Sequence, residues 1–244
     1  GVGTEYVKSV AGEFRTSLAI YESCIDNFQN VIYRNGAADF EVKPSEMDEV
    51  DYSQFTALIT AGTVFAGQPS RDATFRAFEN ARAQGIPVIF DIDYRPYSWP
   101  SPQVASEVLS RAGEESDMIV GNDEEFGFMA GDIDKGLEKA RDLASKGNRL
   151  VIYKMGEEGA ITLYNNEEIR TGIFPTDAIK PVGAGDSFMA GLLSSLASGY
   201  DLKNSVIRGS ACASIVVSLP GCAPAMPDED QLNNFINNSL IKDL

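Results

Sequence analysis

Apolar positions follow one pattern near the start of the chain and another after it. Thr16 to Glu22 and Asn30 to Arg34 are rich in β-branched and aromatic residues, with Asp26-Asn27 between them and Asn35-Gly36 after them. This predicts a β-hairpin. From Ala57 onward, strand and helix patterns take turns. Ala57 to Gly62, Pro87 to Asp91, Met118 to Val120 (closed by Gly121) and Leu150 to Lys154 are short continuous apolar runs, the mark of strands buried on both faces. Between them, Arg71 to Gln84, Val104 to Ala112 and Ile133 to Lys146 read as helices, and Gly85 and Gly147 stop the first and third. Ala160 to Tyr164 and Glu168 to Gly172 flank Asn165-Asn166 and predict a β-meander. The rest is helical: Asp186 to Ser198, Leu202 to Leu219 and Asp228 to Asn237. The helix through Val206, Ile207, Ala211, Ile215 and Val216 is the most apolar and is expected in the core.

Alternating strands and amphipathic helices predict an α/β fold, a mostly parallel sheet with helices on both faces. At 244 residues the chain is expected to form one domain, 1–244. Ligands of such sheets lie beyond the carboxyl ends of the strands. Those ends are Gly62, Asp91-Ile92-Asp93, Gly121-Asn122 and Lys154-Met155-Gly156. A polar residue at such an end serves equally well as loop solvation.

Composition narrows the chemistry. The formal net charge is −16, which argues against nucleic-acid binding and against an anionic membrane surface. It leaves room for an anionic small ligand held by backbone N–H groups and a few placed cations. Histidine is absent, which removes Ser-His-Asp and Cys-His catalysis and His-ligated zinc. Proton transfer then falls to a carboxylate, Lys, Tyr or Cys. Cys24, Cys212 and Cys222 are odd in number and widely spaced, which favours a reducing, cytoplasmic setting over a disulfide framework. No run approaches the length of a membrane span, and Gly1 to Glu5 carries no signal-peptide pattern.

The sharpest chemical feature is Pro181-Val182-Gly183-Ala184-Gly185-Asp186-Ser187. A turn of small residues feeds a helix whose first N–H groups lack intrahelical partners. That start can receive a phosphoryl group. Asp186 at its rim is placed to take a proton from an attacking hydroxyl. The same Asp would also serve simply as a helix N-terminal residue, and the spacing leaves both readings open. The Gly-x-x-x-x-Gly-Lys loop of other nucleotide enzymes is absent.

Taken with four further segments, this stretch resembles the ribokinase-like (PfkB) carbohydrate kinases. The segments are Asp91-Ile92-Asp93-Tyr94-Arg95-Pro96-Tyr97-Ser98-Trp99, Asn122-Asp123-Glu124-Glu125, Lys154-Met155-Gly156-Glu157-Glu158-Gly159 and Gly221-Cys222-Ala223-Pro224-Ala225-Met226-Pro227, and they occur in the family's order. The resemblance implies a ribokinase-like fold with a small lid hairpin at about 15–40. It implies ATP-dependent, Mg²⁺-dependent phosphorylation of a sugar-acid hydroxyl, with 2-keto-3-deoxygluconate kinases and fructokinases as neighbouring activities. On it, Asp186 is the base and Gly183, Ala184 and Gly185 the anion hole. Arg95, Arg34 and Asp93 lie on the substrate side, with Arg34 ranked below Arg95 because a strand arginine is more often a solvated face. Asn122, Lys154, Gly156, Gly159 and Ser210 lie on the nucleotide side. Glu125 organises Mg²⁺ through water, while Asn122 also caps the helix that starts at Asp123. Tyr94, Tyr97 and Trp99 are expected to pack rather than bind. The lid hairpin is a candidate homodimer surface.

Two departures from the family pattern alter these expectations. Many members carry Asp-Thr-Thr before the Gly-Ala-Gly turn, and the Asp helps bind a monovalent cation. Lys180-Pro181-Val182 stands here, so a potassium site is not expected. The chain also aligns from just before the lid hairpin, so the first strands and part of the sugar pocket are expected to be missing, with an exposed sheet edge as the consequence. An inactive nucleotide-binding or assembly fragment is the competing reading from outside enzymology.

Overall fold

The computed structural model describes residues 2–22, 30–147 and 149–242. The Asp26-Asn27 turn and Cys24 lie outside the described residues. Strands β1 (Leu18–Tyr21) and β2 (Asn30–Tyr33) form a two-stranded sheet. A single helical turn, α1 (Pro44–Met47), follows. Then come β3 (Leu58–Ala61), α2 (Ser70–Ala83), β4 (Val88–Asp91), α3 (Pro102–Glu114) and β5 (Met118–Asn122). After them come α4 (Asp123–Ala130), α5 (Gly136–Ser145), β6 (Leu150–Lys154), β7 (Ala160–Tyr164) and β8 (Glu167–Thr171). The chain closes with α6 (Ala184–Ala197), α7 (Leu202–Ser218) and α8 (Glu229–Asn238).

The fold is α/β, with six strands in one sheet in the order β3-β4-β5-β6-β7-β8. β3, β4 and β5 are parallel. β7 and β8 are joined by Asn165 and Asn166, whose φ values of 51° and 64° make the two-residue turn that an antiparallel hairpin favours. The sheet is therefore mixed. The stretch read as one helix from Ile133 opens as a 3₁₀ turn, Ile133–Lys135, before α5 begins at Gly136. The Asp132 side chain accepts the Asp134 N–H and gives that turn its own cap.

The chain resolves into two compact units. The first comprises Gly1–Leu18, Ile32–Tyr153 and Leu163–Glu167, the second Ala19–Val31, Lys154–Thr162 and Glu168–Leu244. In the first, Phe65 is fully buried with its ring 5.9 Å from those of Phe78 and Phe90. This apolar cluster holds α2 against β4. Register pairs Ala61 with Asp91 and Asp91 with Val120, so the carboxyl ends of β3, β4 and β5 fall in one row. That row places Gly62, Asp93 and Asn122 at the same end of the sheet. β3 stands at the sheet edge with Ile59 55% exposed.

In the second unit, α6 and α7 pack through glycines. A β-carbon on Gly191 would lie 2.9 Å from the Arg208 carbonyl and 3.0 Å from Gly209 Cα, and one on Gly209 would lie 2.8 Å from the Phe188 carbonyl. Arg208 is buried and ties three helices together, donating to Ser195 Oγ at 2.9 Å and Asn233 Oδ1 at 2.7 Å. Cys212 joins Phe174, Ala211 and Leu232 in the core, and burial pushes its thiol up to about 11.

Candidate functional site

The start of α6 takes its shape from Gly183, the residue before the helix. Gly183 has φ 89°, a left-handed conformation that disfavours any side chain. A β-carbon there would also press on Cys222 Sγ at 3.1 Å and on Val216 Cγ1 at 3.2 Å. No side chain among the described residues caps the helix. Ser187, fully buried one turn in, turns its hydroxyl back to the Gly183 carbonyl at 2.6 Å. Among the described residues, the one atom outside the turn that a β-carbon on Gly185 would meet is Lys154 Nζ, at 3.8 Å. That ammonium also lies 5.5 Å from the Phe188 ring centre. A cation beside the positive end of a helix is unfavourable unless an anion joins them. Asp186, the next residue, is exposed.

Lys180 stands under the same turn. It is buried, and its Nζ donates to the Val182 carbonyl at 3.0 Å and the Val216 carbonyl at 2.7 Å. The Ile179 N–H donates to the Val217 carbonyl at 2.8 Å. The segment before the turn is thus fastened to the carbonyl end of α7.

The loop after β6 holds other residues that the family resemblance assigns to the nucleotide. Gly156 (φ 55°) and Gly159 (φ 78°) are both left-handed. The Met155 N–H donates to the Gly159 carbonyl at 2.8 Å and closes the loop. A β-carbon on Gly159 would lie 2.1 Å from the Thr171 carbonyl. Ser210 is buried within α7 and reaches the Gly172 carbonyl at 3.5 Å, so its hydroxyl ties α7 to the chain after β8. Gly183, Ala184, Gly185, Asp186, Lys154, Gly156, Gly159 and Ser210 all belong to the second unit.

Arg34, Asp93, Arg95, Asn122 and Glu125 belong to the first. Asp93, just past β4, has φ 33°, an uncommon conformation for a residue with a side chain. Its carboxylate pairs with the Arg95 guanidinium at 2.6 Å. Arg34 is the more enclosed arginine, its side chain 13% exposed against 38% for Arg95. It pairs with Asp39, donates to the Thr63 carbonyl at 3.3 Å and lies 4.2 Å over the Phe40 ring. Its Nε is buried without a hydrogen-bond partner among the described residues. Tyr94 and Trp99 are buried, Tyr94 against Phe128 with ring centres 4.4 Å apart, while Tyr97 is exposed. Asn122 caps α4 in a reciprocal box: its Oδ1 accepts the Glu125 N–H at 2.8 Å, and the Glu125 carboxylate accepts the Asn122 N–H at 2.7 Å. Among the described residues no three acidic or cysteine side chains are grouped to hold a metal ion.

Two contacts were not legible in the chain. The Lys180 anchor depends on Val216, 36 residues away in sequence. The packing of Cys222 on Gly183 joins segments read separately. A charged residue within an apolar stretch was the available signal for the first, and nothing marked the second.

Residues 1–229 match the family described as pfkB family carbohydrate kinase, and the chain belongs to that family. It is 35% identical over 246 residues to a 5-dehydro-2-deoxygluconokinase of Geobacillus thermodenitrificans, covering 98% of this chain and 72% of the relative. It is 38% identical over 228 residues to one of Photobacterium profundum, covering 91% and 69%. Among solved structures, a fructokinase of Vibrio cholerae O395 with fructose, ADP and calcium ion bound superposes with a TM-score of 0.78 at 25% identity, covering 92% of this chain and 74% of that one. No helix among the described residues is long and apolar enough to cross a membrane.

Proposed function

We propose that this chain transfers the terminal phosphoryl group of ATP to a hydroxyl of 5-dehydro-2-deoxygluconate, giving the 6-phosphate. The observation that carries the reading is the start of α6. An uncapped turn of small residues has a lysine ammonium beside Gly185 and an exposed carboxylate on the following residue. The turn and Lys154 would hold the phosphoryl group, and Asp186 would take the hydroxyl proton as the new O–P bond forms. Gly156 and Gly159 would let the nucleotide approach the backbone closely. Ser210 would act from behind, by tying α7 to the strand region at Gly172. Asn122 and Glu125 would orient the water shell of Mg²⁺, which supplies charge neutralisation on the phosphates. Arg95, Asp93 and Arg34 would meet the sugar acid, the guanidinium forks suiting its carboxylate.

The names of the sugar-acid kinases at 35% and 38% identity support this substrate. An ADP-release assay with Mg·ATP over a panel of sugar acids and neutral sugars tests it. Turnover is expected on 5-dehydro-2-deoxygluconate, and Arg95→Gln is expected to raise KM for it about tenfold. Preferred turnover of fructose or of 2-keto-3-deoxygluconate would move the chain to a neighbouring activity. Saturable ATP binding with no turnover on any sugar would make it a binding module.

The hairpin strands β1 and β2 expose Leu18, Ile20 and Tyr33, a surface suited to a second copy of this chain. Sedimentation equilibrium is expected to show a dimer that Ile20→Lys dissociates. A monomer at all concentrations would remove this role.

A further inference from the structure

A lysine with no carboxylate partner among the described residues is an expensive group to bury. Lys180 is 2% exposed, and its acceptors are two backbone carbonyls, Val182 at 3.0 Å and Val216 at 2.7 Å. Both choices have a physical reason. Val216 lies in the last turn of α7, where the helix dipole is negative, and its carbonyl otherwise accepts only the long Leu219 N–H bond among the described residues, at 3.4 Å. Val182 directly precedes Gly183, whose left-handed conformation launches α6. The backbone N–H groups of Ile179 and Lys180 already dock on the Val217 carbonyl, at 2.8 and 3.4 Å. Cohesion of the segment with α7 therefore does not require the charged side chain. A methionine would fill the same space at no cost in solvation. What the ammonium adds is a hold on the last carbonyl before the turn and a positive charge beneath it.

Backbone carbonyl oxygens can also ligate a free potassium ion. We propose that the Lys180 side chain is a tethered monovalent cation for the phosphate turn. It pins the Val182 carbonyl to the end of α7 and supplies positive potential to an anion at Gly183–Gly185, so nucleotide binding needs no dissolved potassium. Lys180 is thus a positioning residue acting through the turn. The inference rests on the reading of that turn as the phosphate site.

The test is calorimetric ATP affinity, with Mg²⁺ present, in chloride salts of tetramethylammonium, sodium, potassium and ammonium at one ionic strength. The wild-type chain is expected to bind alike in all four. Lys180→Met keeps the volume and removes the charge, and is expected to bind about tenfold more weakly in every salt. Lys180→Ala opens a space for an ion and is expected to be equally weak in tetramethylammonium, recovering several-fold in potassium or ammonium. If the alanine variant does not fold, the wild-type salt series and Lys180→Met decide. Wild-type affinity that rises several-fold with potassium overturns the inference. So does a methionine variant that binds like wild type, or a folded alanine variant that neither ion improves. A wild-type chain that binds no ATP overturns the phosphate-turn reading with it. One that binds ATP as expected but phosphorylates no sugar counts against the proposed function alone.

Discussion

Exchanging Asp186 for asparagine is expected to slow phosphoryl transfer about a thousandfold while leaving ATP affinity nearly unchanged. The side chain is exposed at the head of α6 and is not packed into the core. Asparagine keeps its size and its capacity to bond the first-turn amides, so helix and turn should persist. The loss is confined to a proton acceptor. ADP-release rates measured with calorimetric affinity separate the two effects. Turnover within tenfold of wild type would place the base elsewhere. A parallel loss of ATP binding would make Asp186 a support of the turn.

The second large effect is on stability, at Gly159. Its φ of 78° is uncommon for a residue with a side chain, and a β-carbon would come 2.1 Å from the Thr171 carbonyl. A flexible side-chain tip could yield to such a contact, but this carbonyl belongs to the strand backbone of β8. Gly159→Ala must therefore move the loop after β6 or the end of β8. A cost of about 3 kcal/mol is expected from strain and overpacking together. For a chain of this size that lowers Tm by about 10 °C. The change should weaken ATP binding as well, because the Met155 N–H closes this loop on the Gly159 carbonyl. Gly156→Ala makes the useful comparison. Its φ is 55°, yet among the described residues no atom beyond its own chain neighbours lies within 4 Å of the added carbon, so only backbone strain should appear. Equal effects at the two positions would show that contact with Thr171 is immaterial.

What could be read from the chain was whatever depends on neighbours in sequence. The four strands between Ala57 and Lys154 follow from continuous apolar runs with glycines nearby. Asn122 and Glu125 stand three apart, the spacing of a reciprocal cap, and that cap forms. Asn165-Asn166 supplied the two left-handed residues of the β7–β8 turn. Contacts that close over long stretches were hidden. Arg34 follows a strand and looked solvated, yet Phe40 and the Thr63 carbonyl enclose it. Lys180 looked like a change of charge in a motif. Its value as an anchor depends on where the end of α7 comes to rest. The strained backbone of Asp93 carries no sequence mark, since aspartate is common in ordinary turns as well.

The glycine crossing of α6 and α7 leaves very little slack. Asp186 lies five residues from Gly191 along one helix, and Val216 seven residues from Gly209 along the other. At about 1.5 Å per residue these are short, stiff arms. Asp186, the proposed base, and the anchored turn therefore ride on one fulcrum. A bulkier residue at Gly191 or Gly209 would swing both arms together, so damage well away from the phosphate turn would show itself first as lost catalysis.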